Sequence, residues 1–281
     1  MNNISNWLDN HKATKTTLCV AAGFIIADIT ISTLYELYKK IEEKKQECEN
    51  KKKNKITIPI IHNPRKKSLF DSLFNTNEDC INDETVRTVK SKLSETENKN
   101  LEFIIHTDGG DMCSIKQICD SVIMYKRNNP SAKLTIIVPY KAFSAGTMLL
   151  LLADELIFSN YTHLSPFDIQ VNKYFTPQDY EKLMVLKQEK CKDASVLYNQ
   201  VCKRAQDTFN AMLDKYIKYS PKFDTDEKRD KIKKLSKGDM LHSHLLSIDE
   251  LDEYGITPDK ILDTVELLTL KKKYFNNHNV A

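Results

Sequence analysis

Two short turns carry the residue types that acyl transfer requires. One is Thr107-Asp108-Gly109-Gly110-Asp111, the other Ala142-Phe143-Ser144-Ala145-Gly146-Thr147. Three of the chain's six glycines fall in them, at places where a backbone amide must come close to another group. Ser144 offers a hydroxyl nucleophile at the start of an apolar helical run, where free amides and the helix dipole favour an anionic oxygen. Gly109-Gly110 can expose an amide toward the same edge and, with the amide of Ala145, form a two-donor oxyanion site. Alone, a Ser-Ala-Gly sequence is more often an ordinary helix cap, and a Gly-Gly pair is as readily a tight strand-to-helix turn. The pairing of two such turns is what points to chemistry.

A serine hydroxyl attacks only when a neighbour accepts its proton. His163 and Asp168 lie just past the third predicted strand, and Lys182, Lys187 and Lys190 lie on the helical segment that follows. A lysine can serve as base where burial disfavours its charge. His106, inside a strand, reads as a core histidine, and His242 and His244 have no evident partner in the sequence.

The elements that must position these groups are legible from periodicity. Lys55 to Ile61 is a β-branched run suited to a first strand, with Pro59 marking an edge or irregularity. Asp83 to Leu93 has a helical composition, and Leu101 to Thr107 gives a short apolar strand. Ile115, Ile118, Cys119, Val122 and Ile123 recur at helical spacing. Leu134 to Val138 is a second buried strand, Ser144 to Ala153 an apolar helix, and Glu155 to Phe158 a third strand. Strands alternating with helices at this pitch imply parallel pairing. Both turns then leave the carboxyl ends of neighbouring strands, where open α/β folds hold their ligands. Thr176-Pro177-Gln178-Asp179 opens a helix to about Lys190, and Ala194 to Tyr219 forms another. Ser247-Ile248-Asp249-Glu250 is a capping box, with Gly255 as the left-handed stop.

The rest of the composition narrows the class. The chain has 281 residues, 41% of them hydrophobic, enough for a sizeable core. Its 42 basic and 39 acidic residues are interspersed, so no extended basic face for nucleic acid is expected. Seven cysteines, Cys19, Cys48, Cys80, Cys113, Cys119, Cys191 and Cys202, include no CxxC pair and no cluster at zinc spacing. Reduced thiols in a cytosol-like compartment follow, with Cys113 and Cys119 as small apolar fillers on one helix, and neither a metal site nor a cofactor is expected. Thr16 to Tyr35 is a 20-residue segment whose single formal charge is Asp28. Its length suits a bilayer. Asp28 costs about 2.5 to 3.5 kcal/mol at a helix centre against eight large apolar residues that return about 0.3 to 0.6 kcal/mol each. Lysines cluster after it, at 39, 40, 44, 45 and 51 to 53, which keeps the bulk of the chain cytoplasmic. The expected organisation is a polar tail at 1–15, a single-pass membrane anchor or amphipathic helix at 16–38, a charged linker at 39–54, a catalytic domain at 55–270 and a tail at 271–281.

The string from Phe103 through His106-Thr107-Asp108-Gly109-Gly110, then Ile136-Ile137-Val138-Pro139, Phe143-Ser144-Ala145-Gly146-Thr147 and Ala153-Asp154-Glu155-Leu156, resembles the serine dehydrogenase proteinase family. That family has the ClpP/crotonase-like fold and is related to signal peptide peptidase A. Its members carry an HTPGG-type turn, an SGGT or SAGT motif, an AADE-type strand entry and a G-P-x-D-P-Q segment, matched here by Ser165-Pro166-Phe167-Asp168-Ile169-Gln170. The resemblance covers about residues 55 to 265. It implies an α/β fold of the ClpP/crotonase-like ββα spiral type with C-terminal helices, and a membrane-anchored serine endopeptidase facing the cytoplasm. It implies peptide or membrane-protein substrates and a homo-oligomer. Ser144 would be the nucleophile, the amides of Gly110 and Ala145 the oxyanion donors beside Gly109, and Lys190 the base of a Ser-Lys dyad, with Asp168 and His163 as alternatives. Asp108 stands where the family has proline, and Ala145 where the SGGT form has glycine. A carboxylate beside an oxyanion site opposes charge development unless it points away, so a catalytically inactive scaffold on the same fold is the rival expectation. Acyl-CoA chemistry shares the fold but lacks a recognisable CoA site here.

Overall fold

A computed structural model describes residues 54–62, 80–171 and 175–275. The expected tail, anchor and most of the linker lie outside them. Among the described residues no helix is long and apolar enough to cross a membrane.

The β-branched run forms strand β1 (Lys55–Ile61), followed by helix α1 (Asp83–Ser94). Helix α1 starts on Asn82, whose side-chain oxygen accepts from the amides of Glu84 and Thr85, relieving two of the free donors at a helix start. Strand β2 (Asn100–His106), helix α2 (Met112–Asn128) and strand β3 (Leu134–Val138) come next. The apolar stripe foreseen on α2 is buried at Ile115, Ile118, Cys119, Val122 and Ile123. Cys119 is the apolar filler expected, whereas Cys113 on the same helix is exposed. A two-residue strand β4 (Lys141–Ala142) leads into helix α3 (Ala145–Leu149), then strands β5 (Glu155–Phe158) and β6 (His163–Leu164).

The helix expected over Ser144 to Ala153 is shorter than its apolar run. It winds as α3 for five residues and tightens to a 3-10 turn at Leu150–Leu152. All of 145 to 152 is buried, so packing on every side, not an amphipathic stripe, fixes its path.

Helices α4 (Pro177–Lys187), α5 (Asp193–Tyr219) and α6 (Asp226–Lys233) follow, then strand β7 (Leu246–Ser247), strand β8 (Lys260–Ile261) and helix α7 (Thr264–Tyr274). Helix α7 runs past the expected boundary at 270, and Phe275 is buried. The domain therefore includes residues assigned from the sequence to a tail.

The main sheet has the order β1-β2-β3-β5-β8 with every pair parallel. Phe103 and Ile105 of β2 face the larger core with α1, α2, α3 and α5, while Ile104 faces the opposite side with Ile137, Leu262 and residues of α7. That alternation is the period-2 pleat expressed as two buried faces. A smaller sheet, β4-β6-β7, pairs β4 with β6 in parallel and β6 with β7 antiparallel. It brings the C-terminal loop before β7 back to the turns that follow β2 and β3.

Candidate active site

The two turns are zipped together by main-chain bonds. The Thr107 amide donates to the Lys141 carbonyl at 3.3 Å, and the Phe143 amide donates to the Thr107 carbonyl at 3.0 Å. Ser144 follows at the start of α3 with φ 49° and ψ −116° and makes no side-chain capping bond. The hydroxyl is thus not engaged as a cap, and a non-glycine residue is held in a conformation that L side chains adopt at a cost of about 1–3 kcal/mol. Its amide donates to Ser165 Oγ at 2.8 Å. The Thr147 hydroxyl lies between the carbonyls of Ala142 (2.6 Å) and Ser165 (2.9 Å). The nucleophile turn is therefore braced from one strand on either side.

The glycines are required by close approach. A methyl group at Gly109, whose φ is 111°, would sit 2.8 Å from Ser144 Cβ and 3.3 Å from Ser144 Oγ. Gly109 therefore lies directly against the Ser144 side chain. At Gly110 a Cβ would meet the Ile81 carbonyl oxygen at 2.1 Å, and at Gly146 the Thr107 methyl at 2.6 Å. The neighbouring amides are spoken for: Gly109 donates to Thr107 Oγ1, Asp111 to the Ile81 carbonyl and Gly146 to the Phe143 carbonyl. Among the described residues the amides of Gly110 and Ala145 donate to no protein acceptor. Both residues line the cavity that holds Ser144, and two free amides in such a place could receive a developing negative charge.

A cavity of about 380 Å³ opens beside Ser144. Met112, Ile115, Met148, Phe167 and Phe209 supply its apolar wall, while Gly110, Ser144, Ala145, Asp168, Gln170 and His242 supply its polar groups. Asp168, its side chain 1% exposed, accepts from His242 Nδ1 at 2.8 Å and from Gln170 Nε2 at 2.6 Å. A carboxylate so buried needs such partners. With Nδ1 committed to Asp168, the other ring nitrogen of His242 is the one left to accept a proton. Buried carboxylate, oriented imidazole, serine hydroxyl and paired amides on one cavity are the parts of a serine hydrolase.

The structure does not bring Lys190 to this cavity. It is exposed in the 3-10 turn Gln188–Lys190, which contains no buried residue, and α4 before it buries only Pro177. Lys182 and Lys187 are exposed as well. Nothing there desolvates an ammonium group, which is the condition a lysine base requires. His163 is also elsewhere, in β6 opposite Ser247, with Nδ1 on the Tyr161 carbonyl at 3.1 Å. Of the alternatives named from the sequence, only Asp168 lines the site. His242 carries no local sequence signal, because its partner lies 74 positions away and the β6–β7 pairing that returns its loop to the site rests on two-residue strands. His106 is the core histidine expected, buried against Tyr140 and Phe275. Burial, aided by Lys141, lowers its pKa to about 4.

The Asp108 carboxylate pairs with Lys141, Nζ to Oδ1 at 2.6 Å. The carboxylate that argues for an inactive scaffold thus has an opposite charge beside it, from the strand that leads into the Ser144 turn.

A mostly parallel α/β domain with this site belongs to the class of serine hydrolases built on ClpP-like folds. The model of one family, described as ClpP-like SDH-type serine proteinase, matches residues 11–278, and the chain belongs to that family. Two relatives are proteins of Methanocaldococcus jannaschii. The uncharacterized protein MJ0137 is 27% identical over 232 residues, 79% of this chain and 74% of its own length. The uncharacterized protein MJ1495 is 28% identical over 176 residues, 61% of this chain and 58% of its own.

Proposed function

We propose that the chain is a serine endopeptidase in which Ser144 is the nucleophile, His242 the general base and Asp168 the group that orients it. The observation that carries this reading is the Asp168–His242 bond on the wall of the cavity that holds Ser144. Ser144 Oγ attacks the scissile carbonyl as His242 Nε2 takes its proton. The amides of Gly110 and Ala145 donate to the oxygen that becomes negative. His242 then returns the proton to the leaving amine, and a water molecule, deprotonated by the same imidazole, releases the acyl group from Ser144. Gln170 holds the second oxygen of Asp168, which keeps Oδ1 aimed at the ring. Residues 16–38 are proposed to anchor the enzyme to a membrane with this domain on the cytoplasmic side, on the strength of their apolar length and the lysines after them. Peptide segments or membrane proteins are its proposed substrates, and association of like chains is proposed from the family resemblance.

Labelling of the full chain by a fluorophosphonate probe tests the assignment. Ser144→Ala should abolish labelling, and His242→Ala should slow it by about a hundredfold or more, as loss of a general base does. Labelling that survives His242→Ala and disappears in Lys190→Ala would return the base to lysine. An absence of Ser144-dependent labelling in the wild-type protein between about pH 6 and 10, the range over which imidazole and amine bases lose their protons, would favour the scaffold.

A further inference from the structure

We propose that the Asp108–Lys141 ion pair is a positioning clamp, holding the oxyanion turn against the nucleophile turn. It rests on the assignment of Ser144 and the Gly110 amide made above.

Asp108 directly precedes the glycine pair, and Lys141 stands three residues before Ser144. The oxyanion turn is fixed on its far side to Ile81, whose amide donates to the Gly109 carbonyl at 2.7 Å and whose carbonyl accepts from Asp111 at 3.2 Å. On the side of Ser144 the main-chain bonds among the described residues stop at Thr107. Beyond Thr107 the link between the turns is the ion pair, with Lys141 Nζ also 5.7 Å from the centre of the Phe143 ring. Lys141 is only 19% exposed, whereas Asp108 is 52% exposed. The lysine is therefore the member held in place, and the aspartate is the one drawn to it.

Two consecutive glycines have the largest conformational freedom to lose. Proline before them restricts the chain covalently; aspartate restricts nothing until it is tied. The tie also settles the charge. An unpaired carboxylate two residues from the amide that receives the oxyanion would oppose the negative charge developing there, and Lys141 cancels it.

This double role gives a signature that a purely structural contact does not. Lys141→Met loses the tie and also leaves the Asp108 charge unpaired, so it should lower the maximal rate of Ser144 labelling by about tenfold or more, with little change in probe affinity. Asp108→Asn loses the tie alone and should lower it by about threefold. The double variant Asp108→Asn/Lys141→Met should react faster than Lys141→Met, although it carries one more substitution. Asp108→Pro and Lys141→Arg should stay near wild type. Hydrogen exchange supplies a readout independent of activity: peptides over 107–111 and 142–145 should exchange faster in Asp108→Asn and Lys141→Met, and at the wild-type rate in Asp108→Pro. Asp108 is exposed enough that its variants fold regardless of the fate of Lys141→Met. Equal labelling rates with equal exchange would overturn the clamp, as would a double variant slower than Lys141→Met. If the wild-type protein is not labelled at all, the peptidase assignment falls, and exchange alone then decides: faster exchange upholds the tie, and unchanged exchange removes it.

Discussion

Replacing Ser144 by glycine should abolish chemistry and raise stability at once. The residue sits at φ 49° and ψ −116°, a conformation that costs a side-chain-bearing residue about 1–3 kcal/mol and glycine almost nothing. Glycine brings its own penalty, about 0.5–1 kcal/mol of extra freedom lost on folding. The Ser144 hydroxyl makes no capping bond, so its removal leaves little unsatisfied. The balance is a stabilisation of about 0.5–2 kcal/mol, which for a domain of this size raises Tm by about 2–6 °C. Ser144→Ala is the control, because it deletes the same hydroxyl and keeps the Cβ that causes the strain. Differential scanning calorimetry of the two variants beside wild type measures the difference. Should Ser144→Gly melt with or below Ser144→Ala, the backbone at 144 is not the place where strain is held, and its link to the nucleophile's role is lost.

Two further outcomes follow from the geometry. Gly110→Ala would drive a methyl into the Ile81 carbonyl, 2.1 Å away; since that oxygen is backbone and cannot swing aside, urea unfolding should show a loss of about 3 kcal/mol or more. Gly255→Ala, with its nearest neighbours at 3.4 Å or beyond and φ 72°, should lose only about 1 kcal/mol by the same measurement. The third concerns acid. Burial lowers the His106 pKa from 6.5 to about 4, so the unfolded chain binds the proton first, and the histidine's contribution is complete above pH 6.5 and falls away toward pH 4. His106→Phe should flatten the dependence of Tm on pH over that interval, and an unchanged slope would place the acid sensitivity elsewhere.

Residues 101–158 were readable because their signals are local. The apolar strands and the stripe on α2 report their own burial, and the glycines of the two turns mark where the backbone must pass close to another group, Gly109 to Ser144. The capping box at Ser247 is likewise local: its amide and hydroxyl both donate to Glu250 Oε2 at 2.8 Å. Strand β8 was not readable, because two exposed residues have no period, and what recruits them is Asp259, which accepts from the Leu156 amide 103 positions earlier. The same limit hid the proposed base. A lysine on a predicted helix is visible as a residue type, whereas the burial that would make it a base belongs to the tertiary structure, and Lys190 has none. His242 lies in a polar loop with no pattern of its own, and its meaning comes entirely from Asp168.

The Asp168–His242 bond also has a consequence for synthesis of the protein. On the proposed assignment, the nucleophile, both amide donors and the orienting carboxylate leave the ribosome before the imidazole at 242 and before the strand at Lys260–Ile261 that finishes the sheet. A nascent chain would then carry an unarmed serine until the loop bearing His242 docks on Asp168, and any peptidase activity would wait for that docking.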